Sequence, residues 1–344
     1  MFMRDDPTIL ISLPTGEESV ERIGTVCPNA TLRIGPHIDD DTTPMSTQLL
    51  RGTDIILCEV PPANFDDFDQ LQWIQLTSSG YSQVLDLPVL ERGIRVTNGL
   101  GNFDIPIAEW VIMMMIFWQR HTLTMLDNQR HHRWSHEPPF QRELHGSTVG
   151  FYGYGGISRE AARLCKAMGL TVWTLTRDGT VKKRHDKYFE PGTSDPDGAC
   201  VDRVFSPDQL DVFLGGVDYL VMAIPLTPAT RGLIGEKELR MLQPEAVLLN
   251  VARAHIIAEQ ALIRCMSENW IRGASIDVHY QYPLPPEHPF WAMPNVVLTP
   301  HVAGDDANPS FAERLYNIFT ENLRRLIAGE PLLNHLSESQ LRGE

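Results

Sequence analysis

An arginine, an aspartate and a histidine stand at matching places in the second half of the sequence. Asn250-Val-Ala-Arg253, Asp277-Val-His279 and Pro300-His301-Val-Ala-Gly304 each follow a short, mostly apolar run. A guanidinium holds a carboxylate through paired charge-assisted hydrogen bonds, a carboxylate can orient an amide, and an imidazole gives or takes a proton near neutral pH. Arg253, Asp277 and His301 are therefore candidates for binding a small acid, orienting an amide-bearing group and moving one proton. Taken singly, Arg253 is as well explained as a surface charge and His301 as a structural imidazole.

A second constellation lies upstream. Gly153-Tyr-Gly155-Gly156-Ile157-Ser158 follows the run Thr148 to Tyr152 and opens an amphipathic segment through Met168. In a dinucleotide-binding turn, Gly153 permits the tight turn and Gly155 lets a pyrophosphate reach the backbone. The helix start supplies unpaired N–H groups and a positive dipole end. Ser158 replaces the third glycine of the pattern and is small enough for helix–strand packing. The next run ends in Thr176-Arg177-Asp178. An acidic residue there holds the ribose 2′-hydroxyl of NAD, whereas an Arg accommodates the 2′-phosphate of NADP. Thr176 does not repel that phosphate and Arg177 can pair with it, so NADP(H) is the expected cofactor. NAD(H) stays possible through Asp178 if the turn is shifted by two residues. Pro225, Thr230, Val251, Ala252 and Gly304, at the ends of later runs, complete the candidate cofactor set. The Thr227 and Thr230 hydroxyls serve either the cofactor or a helix cap.

The elements that carry these residues alternate between β-branched runs and helix-length amphipathic segments, the pattern of a parallel α/β sheet. Strands are expected at Thr8 to Leu13, Ile55 to Val60 and Trp73 to Leu76. After a boundary near Ile105 and a helix from Ala108 to Gln119, six more are expected: Thr148 to Tyr152, Thr171 to Thr176, Tyr219 to Ile224, Ala246 to Val251, Ala274 to Val278 and Val296 to Thr299. A doubly wound sheet binds ligands beyond the carboxyl ends of its strands, where the candidates lie. Asp178 to Arg203 lacks periodicity and is read as a solvated surface insertion in preference to a flap at the adenosine end of the cofactor.

The chain has 344 residues, 42% of them hydrophobic, enough for two domains. With 29 Lys and Arg against 44 Asp and Glu, the net charge of -15 disfavours nucleic-acid and anionic-membrane partners. Five scattered cysteines without a C-x-x-C pair suit free thiols in the cytoplasm. Val111 to Trp118 is too short to span a bilayer, and no secretory or targeting signal is expected. His131, His132 and His136 give an i, i+4 pair on an expected helix, but no Cys or carboxylate cluster completes a metal site. The Met113-Met-Met-Ile-Phe-Trp118 run reads as buried helix and dimer core, and Phe290 and Trp291 as either pocket wall or core.

These motifs resemble the D-isomer-specific 2-hydroxyacid dehydrogenase family, in particular its glyoxylate and hydroxypyruvate reductase branch. The likeness runs from about Leu71 past His301. It rests on Leu76-Thr-Ser-Ser-Gly80-Tyr, Gly93-Ile-Arg-Val-Thr-Asn98, Ala108-Glu109-Trp110, the Gly153 turn, Pro225-Leu-Thr-Pro-Ala-Thr-Arg-Gly, Asn250-Val-Ala-Arg253, Asp277-Val and Pro294-Asn-Val-Val-Leu-Thr-Pro-His301. The resemblance implies two Rossmann-like domains with doubly wound parallel sheets: a discontinuous substrate domain (1–105 plus 305–344), an inserted coenzyme domain (106–304), a site in the cleft, and a homodimer. It implies that Arg253 holds the carboxylate and carbonyl of a small 2-keto or 2-hydroxy acid, His301 is the proton donor and acceptor, and Asp277 binds the nicotinamide carboxamide. It further places the backbone at Ser79 and Gly80 on the substrate carboxylate, Gly156 and Ile157 under the pyrophosphate, and Trp134 near the dimer contact.

One position departs from the family. Its catalytic Glu before a Pro is Tyr282 in Asp277-Val-His-Tyr-Gln-Tyr282-Pro283. That Glu keeps the histidine protonated, since an opposite charge favours the charged form, and Tyr282 offers only a hydrogen bond near neutral pH. Either the enzyme still reduces 2-keto acids, with its rate falling away, as pH rises, at a lower pH than in family members bearing Glu, or the chain is a catalytically weak or redirected nucleotide-binding homologue, a sensor or interaction protein. Retention of Arg253 and His301 favours the enzyme.

Overall fold

The computed structural model describes residues 6–304 and 307–342. The chain forms two compact units, one of Met1–Asn102, His185–Glu190 and Asp306–Glu344, the other of Phe103–Arg184 and Pro191–Asp305.

The first unit holds β1 (Thr8–Ser12), β2 (Thr31–Ile34), β3 (Ile55–Cys58), β4 (Trp73–Leu76) and β5 (Arg95–Thr97). They pair in parallel in the order β2-β1-β3-β4-β5. β3 and β4 are buried throughout, as expected of central parallel strands covered on both faces. The helix Pro309–Ala328 lays Leu315, Tyr316, Phe319 and Leu323 against Ile9, Ile11, Ile55, Leu57 and Trp73. Trp73 and Phe319 stack with ring centroids 5.2 Å apart. Buried Gln75 is satisfied by donors from Thr97 and Asn322, so a polar contact as well as an apolar one fixes this helix to β4.

The second unit holds β6 (Thr148–Tyr152), β7 (Thr171–Leu175), β8 (Arg203–Phe205), β9 (Tyr219–Met222), β10 (Val247–Asn250), β11 (Gly273–Ile276) and β12 (Val296–Leu298). The order is β12-β11-β10-β9-β6-β7-β8, all parallel. Helices Asp104–Gln119 and Gly156–Ala167 cover one face with Trp110, Met114, Ala161 and Cys165. Leu210–Gly215, Glu236–Leu239 and Glu259–Ser267 cover the other with Phe213, Leu239 and Leu262. The strand order reverses direction between β6 and β9, the switch point at which such sheets bind dinucleotides.

The α/β expectation holds, with three strands added. β2, β5 and β8 were not among the expected strands, and all three are edge strands of three or four residues. The insertion is also not merely solvated. Asp195 within it is buried, and residues 185–190 belong to the first unit, where Asp186 O and the Tyr188 N–H bond to Asn334.

Candidate active site

Parallel register brings the strand ends of the second unit into one row. Leu298, Ile276, Asn250, Met222, Tyr152, Leu175 and Phe205 are successive partners across the sheet. The residues just beyond them are Thr299, Asp277, Val251, Ala223, Gly153, Thr176 and Ser206. Their placement is kept in step by backbone bonds such as Asp277 N to Asn250 O (3.1 Å) and Gly153 N to Leu175 O (2.9 Å).

At the switch point Gly153 has φ +94°, and a Cβ there would stand 2.6 Å from Ile224 Cγ2, so both conformation and space require glycine. Ser158 is fully buried, and its hydroxyl donates to Gly153 O at 2.8 Å, closing the turn that a third glycine would only accommodate. Gly155 caps the helix that begins at Gly156, followed by half-buried Ile157. The Asp104 carboxylate lies where a Cβ on Gly156 would have to stand. At the end of β7, the Thr176 hydroxyl donates to Thr180 O. Arg177 is exposed and makes no ion pair among the described residues. Asp178 bonds Lys182 (2.8 Å) and Thr180, and these contacts, Lys182 first, pull its carboxyl down to about 2. A cleft of about 350 Å³ opens here between Gly155, Arg177 and the Lys182-Lys183-Arg184 triplet. A glycine turn without room for a side chain at Gly153 and Gly156, a helix N-terminus and these cations fit a dinucleotide.

At the other end of the row, Asp277 is buried at the tip of β11. Its Oδ1 accepts from the Thr299 hydroxyl (2.6 Å) and Val302 N–H (2.9 Å), and its Oδ2 from Ala303 N–H (3.1 Å). Trp110 Nε1 donates to Thr299 in turn. The carboxylate thus pins the chain on both sides of His301, which has φ +61°, a conformation uncommon outside glycine. Tyr282 is 58% exposed, its ring centroid is 5.5 Å from that of His301, and its hydroxyl accepts from His279 N–H. Arg253, after β10, is exposed, with Nη1 on Ala252 O (2.7 Å), while Val251 and Ala252 are buried beneath it. Gly304 lies against Ile107 and Phe103.

Other expectations are placed as follows. Ser79 and Gly80 lie in the first unit in the loop after β4, with Ser79 O held by Asn98 and Gly80 O by Ser78. Thr230 donates to Pro225 O and receives Thr227 N–H, so its hydroxyl is spent on the turn. The helix carrying Thr122–Arg130 stops before His131, and the proposed helical histidine pair therefore does not form. In the run from Met113 to Trp118, Met114, Met115 and Trp118 are buried in the core while Met113 and Ile116 are exposed. Phe290 is core and Trp291 is exposed. Sequence reasoning missed Asp104, Arg159 and Arg184; the only signal for the last was a basic triplet soon after the second expected strand of the coenzyme domain.

Residues 112–303 match the family described as D-isomer specific 2-hydroxyacid dehydrogenase, NAD binding domain. The chain is 30% identical over 306 residues to a glyoxylate reductase of Thermofilum pendens, covering 86% of this chain and 85% of that protein. A D-isomer specific 2-hydroxyacid dehydrogenase from Xanthobacter autotrophicus Py2, in complex with NADPH and MES, superposes with a TM-score of 0.76 at 27% identity, covering 97% and 99% of the two chains. An NADPH-dependent glyoxylate/hydroxypyruvate reductase from Sinorhizobium meliloti, in complex with NADP and sulfate, gives 0.72 at 27% identity, covering 96% and 98%. The fold and the site define a nicotinamide-dependent oxidoreductase of the Rossmann type. This chain belongs to the D-isomer-specific 2-hydroxyacid dehydrogenase family and is an NAD(P)-dependent 2-hydroxyacid dehydrogenase.

Proposed function

We propose that the protein is an NADP(H)-preferring reductase that interconverts a small 2-keto acid, glyoxylate or hydroxypyruvate, with its D-2-hydroxy acid. The observation that carries the cofactor preference is at the end of β7: Asp178 is engaged by Lys182 and Thr180, while Arg177 is left available to a 2′-phosphate. The NADPH and NADP complexes of the two similar structures support the same reading.

The bound nicotinamide supplies the hydride. The residues of this chain do the rest. Arg253 binds the substrate carboxylate and polarises the carbonyl, and His301 delivers the proton that the carbonyl oxygen takes up during reduction. Tyr282 shapes the surroundings of the imidazole from its place beside the ring. Asp277 holds the His301 turn, and its remaining lone-pair capacity suits a carboxamide N–H. Exposed Met113, Ile116, Leu123, Leu126 and Trp134, the last 95% exposed, support a homodimer through this unit. Five free cysteines, four of them buried, support a cytoplasmic location.

Steady-state kinetics with NADPH and NADH test the preference. The unmodified protein is expected to give the higher kcat/KM with NADPH, and the double variant Thr176→Asp, Arg177→Ala to reverse the ratio. A variant that keeps the original ratio would refute the assignment.

A further inference from the structure

We propose that Arg184, carried by the segment between β7 and β8, is a ligand for the cofactor's pyrophosphate, and that this segment is a cofactor-binding element built onto the glycine turn. The inference rests on the nicotinamide-cofactor reading of that turn and deepens it. Lys182 pairs with Asp178 (2.8 Å) and Lys183 with Asp197 (3.2 Å), but Arg184 differs from both. Its Nη1 is buried without a hydrogen-bond partner among the described residues, and it stands 3.7 Å from the point a Cβ on Gly155 would occupy. A buried N–H without an acceptor is unfavourable, and one aimed at a dinucleotide turn is completed by an anion.

The segment is clamped to that turn by the turn's own helix. Arg159, 3% exposed in the first turn of Gly156–Ala167, donates to Lys182 O and Asp195 O and lies 4.8 Å over the Tyr154 ring. The Tyr154 hydroxyl donates to Asp195 (2.6 Å), Glu160 accepts Ser194 N–H, and Arg184 N–H donates to Pro196 O (2.9 Å). Burial, with the like charge of Arg184 adding to it, pushes the Arg159 guanidinium below its ordinary value, against the pull of Tyr154 and Asp195. The acidic groups nearby are otherwise occupied: Asp178 and Asp197 pair with the two lysines, Asp195 accepts from Tyr154, Ala199 and Cys200, and Asp104 packs on Gly156. A cleft with this excess of cations takes a polyanion. Gly155 is where a pyrophosphate meets the backbone, whereas the 2′-phosphate is read at the end of β7. Arg184 therefore serves the phosphates common to both cofactors.

Equilibrium binding of NADPH and NADH to the intact protein and its variants tests this. Arg184→Gln is expected to weaken both nucleotides alike, by about ten- to a hundredfold, the loss of a charge-assisted bond, and Arg184→Lys to recover part of it. Arg177→Ala is expected to weaken NADPH alone. In the unmodified protein, saturating NADPH should protect the bonds after Lys182, Lys183 and Arg184 from trypsin. Unchanged affinities in Arg184→Gln, a loss confined to NADPH, or tryptic cleavage indifferent to NADPH would each overturn the proposal. If Arg177→Ala leaves NADPH binding intact, the NADP preference fails while the Arg184 assignment stands. If the unmodified protein binds neither nucleotide, the cofactor reading itself fails.

Discussion

Asp277 is a buried carboxylate whose two oxygens accept three hydrogen bonds from the turn that presents His301. Removing it leaves Thr299, Val302 and Ala303 without their acceptor and frees a histidine held in a left-handed conformation. Asp277→Ala is therefore expected to lower kcat about a hundredfold, the cost of a misplaced proton donor. Turnover close to that of the unmodified protein would show that the turn holds itself. Tyr282 offers a test of a different kind. Tyr282→Glu brings a carboxylate to a ring now 5.5 Å from the imidazole, which favours protonated His301. Reduction consumes that proton, so the limb on which the rate falls with rising pH should move upward. A pH–rate profile that does not move would separate Tyr282 from proton transfer.

At the scale of elements, His121 joins helices Asp104–Gln119 and Thr122–Arg130 with φ +51°. Its Nε2 is buried and unpartnered among the described residues. Burial first, then the charges of Arg272 and Arg142 against the weaker pull of Glu245, hold it below its ordinary 6.5. The unfolded chain thus binds a proton at a pH where the folded chain does not. Stability is full above about 6.5 and falls as pH drops from there toward the folded value. His121→Asn, which tolerates the left-handed backbone, should flatten that fall in urea unfolding between about pH 7 and 5; an equally steep fall in the variant would contradict it. The same scale shows what was legible in the sequence. Central strands such as Ile55–Cys58 and Val247–Asn250 announce themselves as apolar runs because both faces are covered. β2, β5 and β8 do not, because an edge strand is short and partly exposed, and Thr31-Leu-Arg-Ile34, Arg95-Val-Thr97 and Arg203-Val-Phe205 carry no such run. The candidate site residues Gly153, Arg253, Asp277 and His301 stand out for the same reason as their strands: each follows a readable run. Asp104 and Arg184 were not, since they reach the glycine turn from a helix start and from an aperiodic segment.

For the whole molecule, the return of helix Pro309–Ala328 to the first sheet is a long-range packing event, with Phe319 on Trp73 and Asn322 on Gln75. No periodicity encodes it, since Gln75 and Asn322 lie 247 positions apart in the chain. Among the described residues no helix is long and apolar enough to cross a membrane. Whether the protein is a working 2-keto acid reductase, with tyrosine in place of the family's glutamate, is tested most directly by incubating the purified, folded protein with hydroxypyruvate and NADPH, following NADPH oxidation and determining the configuration of the glycerate formed. The expected result is oxidation of NADPH with D-glycerate as product. Cofactor binding without turnover, on hydroxypyruvate and on glyoxylate alike, would contradict it and make the chain a nucleotide-binding homologue.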